Sequence, residues 1–223
     1  MIIGIAGRLG SGKDTVGEVV QKLCLTNNGV EFEIKKFAGK LKTIASLVTG
    51  VPVEKFEDQE FKQKYMSEEW NNPNPVIYEN GSKAWMPMTY REFLQKLGTE
   101  GMRVGVHTNI WVNALFADYK GYVKEWDEFG NDTLIEYPNW IITDMRFPNE
   151  LEAVEEREGI TIRVTRPVKK NKNVPRLHPS ETALDDAKFD YEIINDGTLE
   201  DLVEKVREIL IQEKIIVDGI RSN

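Results

Sequence analysis

Ile2, Ile3, Ile5 and Ala6 form a short, nearly continuous apolar run that ends at Gly7, the pattern of a strand buried on both faces. Beyond a glycine-rich stretch, Val16, Val19, Val20 and Leu23 recur at helical spacing, which predicts a helix over 13–25 closed by Asn28-Gly29. Residues 32–37 read as a second strand and 41–48 as a helix stopped by Gly50-Val51-Pro52. Thr89 opens a further helix through a capping box with Glu92, its apolar face supplied by Phe93, Leu94, Leu97 and Met102. Another helix is expected over 109–119. Trp140-Ile141-Ile142-Thr143 is a strand ending at Asp144, followed by a short helix over 149–157. Strands at 161–164 and 191–194 and an amphipathic helix at 199–211 close the chain.

The segments in between carry weaker patterns. Residues 54–70 are highly charged with scattered aromatics, and 71–87 are punctuated by prolines. There Asn80-Gly81 lies between Val76-Ile77-Tyr78 and Ala84-Trp85-Met86, which predicts a two-stranded hairpin. Residues 121–138 are charged, broken by Gly and Pro, and show no assignable period. Because strands alternate with helices along most of the chain, the expected fold class is α/β, a mostly parallel sheet with helices on both faces. The expected organisation is one domain over 1–223 with insertions at about 54–88 and 120–138.

Composition adds exclusions. Apolar residues make up 40% and charged residues 30%, ordinary for a folded enzyme. The net charge of −8 and a pI near 5.0 oppose binding of a polyanion, so no nucleic-acid partner is expected. Cys24 is the single cysteine, which excludes an intrachain disulfide, and no Cys/His pairs stand at zinc spacing; a reducing compartment, the cytoplasm, is expected. The opening apolar run is too short for a signal sequence and no run approaches a membrane span, so neither export nor a membrane partner is expected. The oligomeric state is open, with a homodimer possible.

Chemistry enters at Gly7-Arg8-Leu9-Gly10-Ser11-Gly12-Lys13-Asp14-Thr15, which matches G-x-x-x-x-G-K between a predicted strand and a predicted helix, the context a P-loop needs. Glycines let successive amide groups and the helix N-terminus face a phosphate, and Lys13 adds a positive charge. Gly10, Ser11, Gly12, Lys13, Asp14 and Thr15 are therefore the expected ATP-binding residues, the alternative being a glycine-rich turn with a surface lysine. Asp14 stands where most P-loops place the Ser or Thr that contacts Mg²⁺, and Thr15 follows one position later. The loop resembles the G-x-x-G-x-G-K-G-T of adenylate-kinase-type enzymes with Asp in place of glycine. Asp14 could hold Mg²⁺ through its carboxylate, or stabilise the helix dipole as an N-terminal acid.

Asp144 stands at the carboxyl end of a buried strand, the edge of an open α/β sheet where ligands bind, and could orient Mg²⁺ as a Walker B acid. Arg146, two residues on, is placed to neutralise charge on a transferring phosphate. The candidate catalytic residues are thus Lys13, Asp144 and Arg146, and the candidate metal ligands Asp14, Thr15 and Asp144.

Gly12-Lys13-Asp14-Thr15, Phe37-Ala38-Gly39 with Leu41-Lys42, Leu94-Gln95-Lys96-Leu97-Gly98-Thr99-Glu100 followed by Trp111, and Asp144-Met145-Arg146-Phe147-Pro148-Asn149-Glu150 occur in that order. Together with His178-Pro179-Ser180-Glu181 and Asn195-Asp196-Gly197-Thr198-Leu199-Glu200, they resemble the phage-type deoxynucleoside monophosphate kinases, a branch of the P-loop nucleoside monophosphate kinases. The resemblance spans nearly the whole chain but is poor over 54–88 and 120–138. It implies a P-loop NTPase fold with an acceptor-binding insertion and a lid. It also implies ATP-dependent, Mg²⁺-assisted phosphorylation of deoxynucleoside monophosphates, and for a phage-encoded chain a host-cytoplasmic location. Lys42, Arg91, Gln95, Gly98, Thr99, Trp111, Arg146 and Glu150 would then line the monophosphate pocket: Arg91 and Arg146 on its phosphate, Trp111 near sugar or base, Gln95 on the base. Read without the family, Trp111 and Leu97 fit a core, Gln95 and Arg91 a solvated helix face, and Glu150 a cap within its helix.

Arg163, Arg166, Lys169, Lys170, Lys172 and Arg176 form a basic cluster in an acidic chain, suited either to a lid at about 166–182 closing over a triphosphate or to a solvated loop. His178 reads as a lid or turn residue, since no second metal ligand stands at helical spacing from it. Two other functions share the loop: a small-molecule kinase of the dephospho-coenzyme A or phosphomevalonate type, and a nucleotide-binding regulator or DNA-packaging ATPase, the latter disfavoured by the acidic charge.

Overall fold

A computed structural model describes residues 1–72, 74–126, 132–167 and 182–217. In chain order they form β1 (Ile2–Ala6), α1 (Lys13–Asn28), β2 (Glu33–Lys35), α2 (Gly39–Thr49), α3 (Gln59–Lys62), β3 (Val76–Ile77), β4 (Lys83–Ala84), α4 (Tyr90–Gln95) and α5 (Ile110–Phe116). There follow β5 (Tyr122–Trp126), β6 (Asp132–Glu136), β7 (Trp140–Met145), α6 (Pro148–Glu155), β8 (Ile160–Thr165), β9 (Tyr191–Ile194) and α7 (Leu199–Gln212). Short 3-10 turns cover Val53–Phe56 and Glu68–Trp70, and Lys96–Val104 is π-helical. The chain divides into two compact units, Met1–Phe37 with Leu115–Asn223, and Ala38–Ala114. The hairpin expected at 76–86 lies in the second, and the unassigned 121–138 segment contributes the antiparallel pair β5–β6 to the first.

The first unit is built on a five-stranded parallel sheet in the order β2-β7-β1-β8-β9. From β1 the chain crosses to β2 through α1, and from β7 it crosses in the other direction to β8 through α6. Right-handed crossovers running in opposite directions put their helices on opposite faces, so the sheet is covered on both. Strand alternation agrees with this. Ile3, Ile5, Ile141, Ile162, Val164 and Ile193 join Val16 and Val20 of α1 and Leu202, Val206 and Leu210 of α7 in one core. A Cβ on Gly4, the intervening position, would meet Met145 and Val154 of α6 instead. Burying each aliphatic side chain of that core contributes about 1.5–3 kcal/mol. Gly17 lets α1 approach β7 closely, since a Cβ there would come within 2.5 Å of the Thr143 methyl group. At the other face Trp140 packs against Phe116 and Tyr119, and Arg157 stacks on Phe116 at 3.9 Å.

Cys24 is fully buried in this core, and burial pushes its thiol up to about 11. Only the thiolate attacks a disulfide reagent. A chromogenic thiol reagent is therefore expected to leave the native chain unmodified and to label one equivalent at once in denaturant; rapid native-state labelling would contradict this burial. Among the described residues no helix is long and apolar enough to cross a membrane.

The second unit has its own core of Ala45, Phe56, Met66, Met88 and Phe93. The aromatics scattered through the charged stretch find partners there: Phe61 stacks on Tyr90 at 4.5 Å and Trp70 meets Phe93 edge-on. The Thr89 capping box forms as expected, with the Thr89 hydroxyl accepting from the Glu92 N–H and the Glu92 carboxylate accepting from the Thr89 N–H. The helix it opens does not continue as a regular α-helix; after Gln95 it widens into the π-helical stretch.

Candidate functional site

The two crossovers diverge from the middle of the sheet, so connectivity reverses between β7 and β1, and open α/β sheets bind ligands outside the carboxyl ends of the strands at such a point. The glycine loop leaves β1 at that point. Gly10 and Gly12 have φ of +78° and +98°, a region that side chains with a Cβ rarely enter. Gly12 is further constrained by space, because a Cβ there would lie 2.3 Å from the Asn195 amide nitrogen. The Ser11 N–H donates to the Arg8 carbonyl at 3.1 Å, and α1 begins when the Val16 N–H reaches the Gly12 carbonyl at 2.9 Å. No side-chain hydrogen bond caps the N-terminus of α1, and the positive end of its dipole lies at the glycine loop.

Two features mark the loop as a ligand cradle. Ser11 is 3% exposed and its hydroxyl oxygen has no hydrogen-bond partner among the described residues. A buried hydroxyl left so is costly unless a ligand completes it. Lys13 is 6% exposed, an ammonium held at the helix start rather than extended into solvent.

The acids sit beside this cradle. Asp14 Oδ1 accepts the Thr143 hydroxyl at 3.1 Å and lies 3.7 Å from Lys36 Nζ, while Oδ2 is 3.9 Å from Lys13 Nζ. Thr143 is the residue before Asp144, so β7 brings both expected acids to one sheet edge. Asp144 Oδ1 accepts the Phe37 N–H at 2.8 Å, which ties the end of β2 to the end of β7. Thr143 and Lys36 carry no signal of this role in the sequence: Thr143 looks like one more strand residue, and nothing in the linear pattern places Lys36 beside Asp14. Among the described residues no cluster of three or more His, Cys, Asp or Glu could hold a metal. Mg²⁺ bound to a nucleotide needs none, since one or two carboxylates, water and the phosphates complete its shell. Asp14, Asp144 and the Thr15 hydroxyl are hard oxygen donors of the type that fits.

Arg146 follows β7 by one residue. Its N–H donates to Glu150 Oε2 at 2.7 Å, and the Phe147 N–H donates to the same oxygen at 3.2 Å. Glu150 is 3% exposed, so its carboxylate, named from the resemblance as a pocket residue, sits beneath the turn as the cap of α6 and fixes the backbone that carries Arg146. Of the basic cluster, Arg163 donates to the carbonyls of Leu184, Asp185 and Ala187 and lies 4.5 Å from the Phe189 ring. It thereby anchors the segment around 182–189 to the sheet. Arg166 comes to 4.0 Å from the position a Cβ on Gly12 would occupy. Lys169, Lys170, Lys172, Arg176 and His178, and most of the expected lid, lie outside the described residues.

The remaining candidates fall in the second unit. Lys42 is 8% exposed and pairs with Glu57 at 2.6 Å. Arg91 donates from Nη2 to Gln59 at 2.8 Å, while its buried Nε has no hydrogen-bond partner among the described residues. Gly98 packs so closely that a Cβ would stand 2.7 Å from Leu41 Cδ2. The Trp111 indole N–H donates to the Gly98 carbonyl at 2.9 Å, and Trp111 is buried. Gln95 ends α4, and Gly98 and Thr99 lie on the π-helical stretch, a distortion found mostly where a helix must present side chains differently from a regular turn.

Comparison with known proteins agrees with this geometry. The family model described as deoxynucleotide monophosphate kinase matches residues 40–206. The chain is 24% identical to a deoxynucleoside-5'-monophosphate kinase of Escherichia phage T5, covering 87% of this chain and 89% of the relative. It is 24% identical to a putative deoxynucleotide monophosphate kinase of Acanthamoeba polyphaga mimivirus over 92% of this chain and 94% of the relative. A deoxynucleotide monophosphate kinase of Enterobacteria phage T4 is 28% identical over 69% of this chain and 56% of its own length. With a family model matching residues 40–206, most of its length, the chain belongs to the deoxynucleotide monophosphate kinase family, phosphotransferases that act on deoxynucleoside monophosphates.

Proposed function

We propose that the loop Gly10–Thr15 holds the ATP triphosphate, that Asp14, Thr15 and Asp144 hold Mg²⁺ directly or through water, and that Lys13 and Arg146 stabilise the γ-phosphoryl group as it moves. Residues 38–114 supply the acceptor's recognition through Lys42, Arg91, Gln95 and Thr99, with Gly98 and Trp111 fixing the turn that carries Thr99. The observation that carries the reading is the buried, unpartnered Ser11 hydroxyl in a loop of two left-handed glycines directly before the buried Lys13.

In the reaction, a phosphate oxygen of the deoxynucleoside monophosphate attacks the γ-phosphorus of ATP, a new P–O bond forms, and the bond to the β–γ bridging oxygen breaks to release ADP. The attacking oxygen already carries negative charge at neutral pH, so no side chain has to remove a proton. The protein's work is alignment and charge stabilisation: the N-terminus of α1 and its dipole face the phosphates, and Lys13 and Arg146 meet charge that develops in transfer. Mg²⁺, when bound, neutralises the β- and γ-phosphate oxygens. Glu150 holds no substrate in this scheme; it sets the origin of the Arg146 side chain.

Initial rates for the common deoxynucleoside monophosphates, their ribose counterparts, dephospho-coenzyme A and phosphomevalonate, each with labelled ATP, test the proposal. The expected result is transfer to deoxynucleotides above their ribose counterparts, abolished by EDTA and restored by excess Mg²⁺. Transfer to either non-nucleotide acceptor alone would replace the acceptor assignment, and full activity in EDTA would remove the metal from it.

A further inference from the structure

Asn195, at the carboxyl end of β9, reaches across the sheet edge to the glycine loop. Its side-chain Nδ2 donates to the Ser11 carbonyl at 2.8 Å, its backbone N–H donates to the Thr165 carbonyl at 2.7 Å, and it is 5% exposed. The same nitrogen is what a Cβ on Gly12 would strike. The Ser11 carbonyl and the Gly12 N–H belong to one peptide unit, and that unit is planar and trans, so the two bonds point in opposite directions. Holding the carbonyl toward Asn195 therefore holds the Gly12 amide away from it. Glycine at position 12 populates positive and negative φ about equally, so the intrinsic backbone preference there does little to hold this peptide's orientation once its carbonyl is released.

We infer that Asn195 is a positioning residue for ATP: it sets the orientation of the Ser11–Gly12 peptide and keeps the Gly12 amide aimed as a phosphate donor. The inference rests on the reading of the loop as the triphosphate site. Asn195 touches no reacting atom, and its effect is confined to how well the loop is shaped before nucleotide arrives. Its anchorage on β9 rather than on α1 matters, because the parallel pairing of β9 with β8 fixes its height relative to the loop.

The test is ATP binding by calorimetry, without acceptor, for wild type, Asn195→Ala and Asn195→Asp, alongside thermal unfolding and KM for each substrate. Losing the donor to a buried carbonyl should weaken ATP binding by about tenfold or more, and Asn195→Asp, which faces the carbonyl with acceptor oxygens, should be at least as impaired. KM for ATP should rise while KM for the deoxynucleoside monophosphate stays unchanged. Gly12→Ala should cost less ATP affinity in the Asn195→Ala background than in wild type, because half of its conflict has been removed. If wild type binds ATP and both Asn195 variants bind it equally well, the positioning role is overturned and the loop assignment stands. Equal loss of affinity for both substrates, tracking loss of folded protein, also overturns it by making Asn195 merely structural. Wild type that binds no ATP overturns the loop assignment and this inference with it.

Discussion

Replacing Lys13 with alanine lowers kcat/KM by about 10³-fold or more, with the fold retained. Lys13 is buried at the first turn of α1 with its ammonium 3.9 Å from Asp14 Oδ2, so its charge is poorly screened and, on the proposed reading, would act at close range on a triphosphate. Removing it leaves the amide groups to bind nucleotide, which is why the larger part of the loss falls on kcat. Stability should change little, because Asp14 keeps Lys36 at 3.7 Å and the Thr143 hydroxyl at 3.1 Å, and alanine is the best helix former. Lys13→Arg is not a rescue, because a planar fork cannot replace a compact ammonium inside a buried site. A coupled spectrophotometric assay with thermal unfolding on the same samples checks both halves. Activity within tenfold of wild type would show that the loop does not carry the transferring phosphate, and a collapse of Tm would show that Lys13 is structural.

The parts of the molecule legible in the sequence are those in which one local rule suffices. The run Ile2–Ala6 is apolar at every position because its strand is buried on both faces, and the Thr89–Glu92 box is a contact within a single turn. The glycine loop was readable for the same reason, since strand, loop and helix are contiguous. The π-helical stretch was not. Its pattern reads as one helix through Leu97 and Met102, yet those residues are five apart, and that extra residue is the feature a wide turn absorbs. Residues 121–138 lacked a period because the β5–β6 register shifts twice and much of the hairpin is exposed, so no buried face imposes alternation.

Site residues divide along the same line. Lys13, Asp14, Asp144 and Arg146 are legible as candidates because each is next to an element end that sequence can locate. The Thr143 hydroxyl on Asp14, the Phe37 amide on Asp144 and the Asn195 amide on the Ser11 carbonyl join residues 129, 107 and 184 positions apart. Sheet order alone creates those contacts, and strand order cannot be read from one sequence. Glu150 shows the converse difficulty: its place three residues after Phe147 is visible, but only burial distinguishes a capping carboxylate from one offered to substrate.

That distinction decides the second large effect. Arg146→Ala should reduce kcat by about 10²–10⁴-fold while leaving Tm unchanged, because the side chain acts on charge that develops only as the phosphoryl group moves. Arg146→Lys should recover little, since a point charge cannot make the paired donations of a guanidinium. Glu150→Ala should do something different. It removes the acceptor shared by the Arg146 and Phe147 N–H groups at 2.7 and 3.2 Å, so the α6 turn loosens, Tm falls by several degrees and kcat falls less than in Arg146→Ala. Glu150→Gln, which keeps one acceptor oxygen under the turn, should lie between wild type and Glu150→Ala in both respects. If Arg146→Ala instead keeps kcat within about fivefold of wild type, the charge on the transferring group is met elsewhere and Arg146 is no more than the first residue of a well-capped turn.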